Sequence, residues 1–426
     1  MRMAILSDTH FGDPLCALVD HESMTPGSHY RKFREAAGRN NDFLVLVGDI
    51  LDFSITDYRT AHRAAAVFFR QIQQDNITRS IIYVPGNHDY DLWHTVEYQI
   101  NIIHQIDKGK PARQFKWSVP GLIDLRSTQI SPGFRLPGTI DEAVDPGTVP
   151  EVPLYLNNIT INEDGSGRPT YFYFAYPNLY VADDSGTVVI THGHYLESYW
   201  SFAGEWILKI AEQDIDLGEA YDLWELVALN LPLCQLACSG IGQAGPLTAL
   251  VQKIQREAKN REFARIDGYI DRLQAIVDDK LTYTLGKYDP REWGTDLVLK
   301  ILNGEIKDAV KNRKSARACE EFLSDSEVLH RLGTFYDASC VELAILNNQY
   351  GFGIPNPDKI IIGHTHCPIG WLAPDAPETV MSTGVRLRMY NTGGWLWRAH
   401  EGGGREFCGA EIFIYDDNGF SSIAID

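Results

Sequence analysis

Ile81-Ile82-Tyr83-Val84-Pro85-Gly86-Asn87-His88-Asp89 decides how this chain is read. Four apolar, β-prone residues stop at Pro-Gly, and polar groups able to bind metal follow at once. A short apolar run bounded by Gly or Pro predicts a buried strand. The same pattern occurs four more times. Met3-Ala4-Ile5-Leu6 runs into Ser7-Asp8-Thr9-His10, and Phe43-Leu44-Val45-Leu46-Val47 runs into Gly48-Asp49. Val188-Val189-Ile190 precedes Thr191-His192-Gly193-His194, and Ile360-Ile361-Ile362 precedes Gly363-His364-Thr365-His366. Sites in open α/β sheets gather beyond the C-terminal ends of strands. Five loops are therefore expected to deliver Asp, Asn and His to one place.

The segments between these strands support an α/β layer. Arg59 to Gln74 has helical spacing of apolar residues, and Asp91 to Ile106 reads as a further helix. Thr170 to Val181 is aromatic and β-prone, and Asp183-Asp184-Ser185-Gly186 predicts a hairpin turn into the fourth motif strand. Between them, residues 118–170 are rich in Pro and Gly, which predicts long loops and short edge strands. Residues 196–345 change to a helical pattern. Ile266, Ile270, Leu273 and Val277 form one amphipathic stripe, and Val298, Leu302, Ile306, Ala309 and Val310 form another. This predicts one α/β domain of residues 1–195 and 346–426, interrupted by a helical cap at 196–345.

Composition narrows the function. With 38 Lys and Arg against 57 Asp and Glu, the net charge is −19. An acidic surface of this kind repels polyanions and disfavours extensive nucleic-acid binding. The densest cationic stretch, Lys300 to Arg317, fits a solvated helix face. The seven cysteines are scattered and form no CxxC pair, which points to reduced thiols, Cys367 among them, and a cytoplasmic location. With a strand expected at the very N-terminus, no leader peptide is expected within this sequence. No run of about 20 apolar residues predicts a membrane span, although peripheral membrane contact stays open.

Asp8, His10, Asp49, Asn87, His192, His364 and His366 offer carboxylate, amide and imidazole donors without thiolate. That set suits hard or borderline divalent ions: Mn²⁺ first, then Fe²⁺, Zn²⁺ or Mg²⁺. Seven side chains exceed the needs of one tetrahedral ion and fit two ions sharing a carboxylate. Paired ions about 3.5–4 Å apart suit in-line displacement at phosphorus.

In these residues the chain resembles the calcineurin-like metallophosphoesterase superfamily, whose pattern is DxH, GD, GNH with a following acid, a His-containing loop, and GHxH. All five elements stand here in order. The resemblance implies a four-layer α/β/β/α sandwich of two mixed sheets. The 196–345 insertion lies outside the family pattern. The resemblance also implies roles. Asp8, His10 and His366 would bind one metal, and Asn87, His192 and His364 the other. Asp49 would bridge them and hold an attacking hydroxide between the ions. His88 would act as general acid, and Asp89 would orient it. His194 is the alternative to His192 as ligand.

The implied substrate is a phosphomonoester, phosphodiester or phosphoanhydride on a small or lipid-linked molecule. Gly48-Asp49-Ile50-Leu51-Asp52-Phe53 lacks the Arg of protein phosphatases. Val47 to Phe53 and Tyr90 to Trp93 are similar to UDP-diacylglucosamine pyrophosphohydrolases. A nuclease and a metal-free scaffold are the remaining alternatives. The aromatic run Tyr195, Tyr199, Trp200, Phe202 and Trp206 is expected mainly to anchor the cap.

Overall fold

The computed structural model describes residues 1–127, 129–130, 155–162, 164–210, 222–243, 245, 268, 325–399 and 404–426. The chain divides into two compact units. One comprises Met1–Thr248, Ser326–Trp397 and Phe407–Asp426; the other comprises Ala249–Asp325 and Arg398–Glu406. Every element and site residue discussed below belongs to the first. The helical stripes at 266–277 and 298–310 and the cationic stretch at 300–317 lie outside the described residues.

The first unit contains two mixed sheets. Its strands are β1 (Met3–Leu6), β2 (Phe43–Val47), β3 (Ser80–Val84), β4 (Gly121–Asp124), β5 (Gln129–Ile130), β6 (Tyr171–Phe174) and β7 (Leu179–Asp183). They continue with β8 (Gly186–Ile190), β9 (Lys359–Ile362), β10 (Glu378–Val380), β11 (Arg386–Asn391), β12 (Ala410–Asp416) and β13 (Gly419–Ile425). The first sheet has the order β13-β12-β1-β2-β3-β6, and the second β10-β11-β9-β8-β7-β4-β5. β1, β2 and β3 are adjacent and parallel, with Leu6 opposite Leu46 and Val47 opposite Val84. β8 and β9 are likewise adjacent and parallel. All five motif strands thus end beside a parallel neighbour that carries another motif.

Alternation along the strands builds the layers. Met3, Ile5, Val45, Val47, Ile82, Val84 and Tyr173 of the first sheet meet Leu179, Val181, Val188, Ile190 and Ile361 of the second in one core. The opposite faces carry helices. Helix α1 (Tyr30–Ala37) buries Phe33, and helix α2 (Tyr58–Gln74) buries Phe68, Phe69 and Ile72. The Phe69 ring lies 5.3 Å from Phe172, which points away from the inter-sheet core. Burying each such side chain contributes ~1.5–3 kcal/mol. Asp57 caps α2 by accepting the Thr60 N–H at 2.9 Å. On the second sheet, Tyr180 donates its hydroxyl to Ser339 O at 3.0 Å, which docks helix α6 (Ser326–Tyr350) on the outer face. This is the α/β/β/α layering.

Helix α3 (Tyr90–Tyr98) passes into a π-turn at Gln99–Ile103, so the helix expected from Asp91 to Ile106 is interrupted. Asp183 caps the β7–β8 hairpin by accepting the Ser185 N–H at 2.7 Å. Helices α4 (Ser198–Ile210) and α5 (Leu223–Gln235) follow His194 within the first unit. The expectation of reduced thiols throughout is corrected at Cys367, which is disulfide-bonded. Cys16, Cys234, Cys238 and Cys340 are free and buried. Among the described residues, no helix is long and apolar enough to cross a membrane.

Candidate metal centre

The strand-end loops are bound to one another before any side chain is considered. Asp8 N donates to Gly48 O at 3.0 Å, His10 N to Asp49 O at 2.9 Å, and Gly363 N to His192 O at 3.0 Å. His364 N reaches across from the second sheet to the Asp8 carboxylate, at 3.1 and 3.0 Å from its two oxygens. Asp8, His10, Asp49, His364 and His366 all have φ between 47° and 67°. The left-handed region is uncommon for residues with a Cβ and clusters at functional sites. Gly48, at φ 76°, has to be glycine on a second count: a Cβ there would strike the His192 ring. A Cβ on Gly363 would strike Ser7 and the Asp8 carboxylate.

Three groups of donors result, and one of them joins His10, Asp52 and His88. The ligand atoms of Asp8, His10 and His366 lie within 4.8 Å of one another, as do those of Asp49, His192 and His364. His366 Nε2 is 3.3 Å from Asp8 Oδ1 and 3.1 Å from His10 Nε2. His192 Nε2 is 3.2 Å from Asp49 Oδ2 and 3.0 Å from Asn87 Oδ1, while its Nδ1–H donates to Val47 O at 2.8 Å. With Nδ1 so engaged, Nε2 is the nitrogen aimed at the centre. His194 makes none of these contacts. Its ring lies on Tyr195, 3.9 Å between centroids, and neither ring nitrogen has a partner among the described residues.

Charge and burial conflict here, and their balance fits a cation site. Asp8, Asp49 and Asp52 are fully or almost fully buried. Burial opposes their ionisation, but the surrounding imidazoles outweigh it and hold all three below the usual carboxylate range. Reciprocally, burial works against charged His192, yet Asp49 raises it to about 9. His10 is raised against burial by Asp52 and Asp8. Imidazoles held protonated by buried carboxylates are sites where a divalent ion can replace protons.

His88 does not sit in either expected group. Its Nδ1 is 3.1 Å from Asp52 Oδ1 and 2.6 Å from Ser54 Oγ, and its Nε2 is 3.9 Å from Asp49 Oδ2. Burial lowers its pKa, but Asp52 and Asp49 together lift it above the ordinary histidine value. The expected contact between His88 and Asp89 is absent. Asp89 instead accepts from Ile50 N at 2.8 Å, Gly86 N at 2.6 Å and the Tyr83 hydroxyl, so it ties the second and third loops together. Burial and neighbouring Asp49 push it up to about 6. Asp52 takes the place assigned to Asp89. One oxygen meets His88 and the other meets His10 Nδ1 at 2.9 Å. An acid three residues beyond Gly48-Asp49 was its only sequence signal. Glu197, 3.0 Å from His364 Nε2, was also missed; it lies three residues past His194.

Compared with known proteins, residues 1–226 match the family model described as calcineurin-like phosphoesterase. The matched stretch holds Asp8, His10, Asp49, Asn87, His88 and His192 and ends before His364 and His366. No curated protein matches the chain.

Proposed function

This chain belongs to the calcineurin-like phosphoesterase family, which are metal-dependent phosphoester hydrolases, and from that premise we propose a dinuclear enzyme acting on a small-molecule phosphoester. Asp8, His10 and His366 would hold one divalent ion; Asn87, His192 and His364 would hold the other. The observation that carries this reading is the reach of Asp49. Its Oδ2 lies 3.2 Å from His192 Nε2 and 3.9 Å from His10 Nε2, within range of both donor groups. Oxygen and nitrogen donors without thiolate support Mn²⁺ as the native ion. When bound, such a pair supplies a nucleophile at neutral pH and Lewis-acid polarisation of phosphoryl oxygens.

The remaining chemistry belongs to the chain. Asp52 and Ser54 engage His88 Nδ1 and so direct Nε2 toward Asp49. Asp52 and Asp49 raise the pKa of His88 and so favour its protonated form, the form that can give a proton to the leaving oxygen. The net charge of −19 and the missing Arg after Asp52 support a small substrate over nucleic acid or phosphoprotein. We read residues 196–345 as the insertion that selects the substrate and residues 1–195 with 346–426 as the catalytic domain. The free thiols support a cytoplasmic location, against which the Cys367 disulfide stands.

Metal analysis with a Mn²⁺-supplemented panel tests the proposal. The panel holds an aryl monoester, an aryl diester, nucleotides, a UDP-sugar lipid and single-stranded DNA. About two ions per chain and hydrolysis of at least one small ester are expected. A protein that stays metal-free in millimolar Mn²⁺ and cleaves no member would sink the reading.

A further inference from the structure

Trp200 stands in the first turn of α4, directly after the fourth motif loop. It is only 4% exposed, and its indole Nε1 is buried with no hydrogen-bond partner among the described residues. Buried N–H donors are nearly always paired, and leaving one unpaired is destabilising. A donor without a partner therefore needs a reason. Its surroundings supply one. The Trp200 ring lies 6.1 Å from the His88 ring and 6.5 Å from the His364 ring, centroid to centroid. Those histidines follow β3 of the first sheet and β9 of the second, so one indole touches both sides of the centre. Asn87 Nδ2 is a second buried N–H donor there without a partner among the described residues.

Other members of the same aromatic run do a different job. Tyr195 stacks on Phe335, 5.6 Å apart and 14° from parallel, and its hydroxyl donates to Tyr176 at 2.5 Å. Those contacts fasten the first turn after the motif to α6 and to the segment between β6 and β7. Trp200 has no such satisfied polar anchor.

We propose that Trp200 is a substrate-contacting residue. Its Nε1–H donates to an oxygen of the bound phosphoryl group, and the indole walls the centre between His88 and His364. This rests on the phosphoesterase reading above and adds to it a specificity element supplied by the helical insertion. The acceptor is a tetrahedral oxyanion, so inorganic phosphate, a product of monoester hydrolysis, is a sufficient probe.

The test is calorimetric titration of the metal-loaded protein with inorganic phosphate, with metal content measured in parallel. Trp200→Phe keeps a ring and removes the donor. It is expected to bind phosphate about 10- to 100-fold more weakly, the usual range for a hydrogen bond to a charged group, at unchanged metal content. Trp200→His restores an N–H and should recover part of the affinity. In turnover assays KM should rise more than kcat falls. Wild-type affinity in folded Trp200→Phe would overturn the proposal. If Trp200→Phe loses its cooperative melt, Trp200→His decides: retained phosphate affinity supports the donor, and a loss of 100-fold or more overturns it. A wild-type protein that takes up neither metal nor phosphate would instead remove the phosphoesterase reading itself.

Discussion

At the scale of single residues, Asp52 stands beside His88 where Asp89 was expected. Asp89 follows His88 in the chain, yet a side chain seldom turns back on its immediate neighbour when backbone N–H groups need acceptors. Three donors from β3 and the loops after β2 and β3 claim Asp89. Asp52 arrives from another loop and meets both His10 and His88. The two acids should therefore fail differently. His88→Asn should lower turnover by a factor on the order of 10²–10⁴ at unchanged metal content. Asp52→Asn should cost about 10–100-fold in activity or metal affinity, since it fixes the tautomers of two histidines. Asp89→Asn should act mainly on stability, lowering it by about 1–3 kcal/mol, while the folded fraction keeps most of its turnover. Thermal melts beside steady-state kinetics separate them. An Asp89→Asn protein with an unchanged melting temperature and the rate loss of His88→Asn would return Asp89 to the proton-transfer role.

Among the elements, the docking of α6 on the second sheet has a pH signature. Glu342 of α6 lies 3.0 Å from the Tyr180 hydroxyl oxygen, whose proton goes to Ser339 O, and accepts from Ser118 Oγ. Burial outweighs these contacts and lifts Glu342 from 4.5 to about 7. The folded state thus binds a proton more tightly than the unfolded chain does. That contribution to stability is full below about pH 4.5 and is lost as pH rises to about 7. Glu342→Gln removes the titration. It should gain on the wild type by ~2 kcal/mol between pH 5 and pH 8, measured by urea denaturation at the two pH values. A difference that stays constant with pH would show that Glu342 is not held neutral.

At the scale of the molecule, the described residues gather buried Asp and His side chains where the two sheets meet. On the proposed reading His192 is a ligand, and Asp49 raises it to about 9, so a metal ion there competes with protons. Metal uptake should therefore release protons and tighten as pH rises from 6 to 8. Titration of the apo-protein with Zn²⁺ in buffers of different ionisation enthalpy checks this. Affinity that is flat with pH would mean that the histidines do not ligate.

Much of this arrangement was legible in the linear chain. A buried parallel strand is an uninterrupted apolar run, so all five motif strands and the residues that follow them could be read locally. Their loops begin where the apolar run ends, and that alone predicted which side chains would gather. The helices α2 and α3 were readable for the same reason, through helical spacing. The π-turn at Gln99–Ile103 was not, because it changes hydrogen bonding without changing hydropathy. Other facts depend on distance in space between residues far apart in sequence. Asp52 rather than Asp89 at His88, the choice between His192 and His194 beside Asp49 and Asn87, Glu197 at His364, and Trp200 against two motif-loop histidines each needed the folded chain. Local hydropathy and spacing specify strands and the loops after them, because those depend on neighbours along the chain. Which polar atom meets which donor is decided by competition among buried groups brought together by the two sheets, and only the tertiary structure sets that competition.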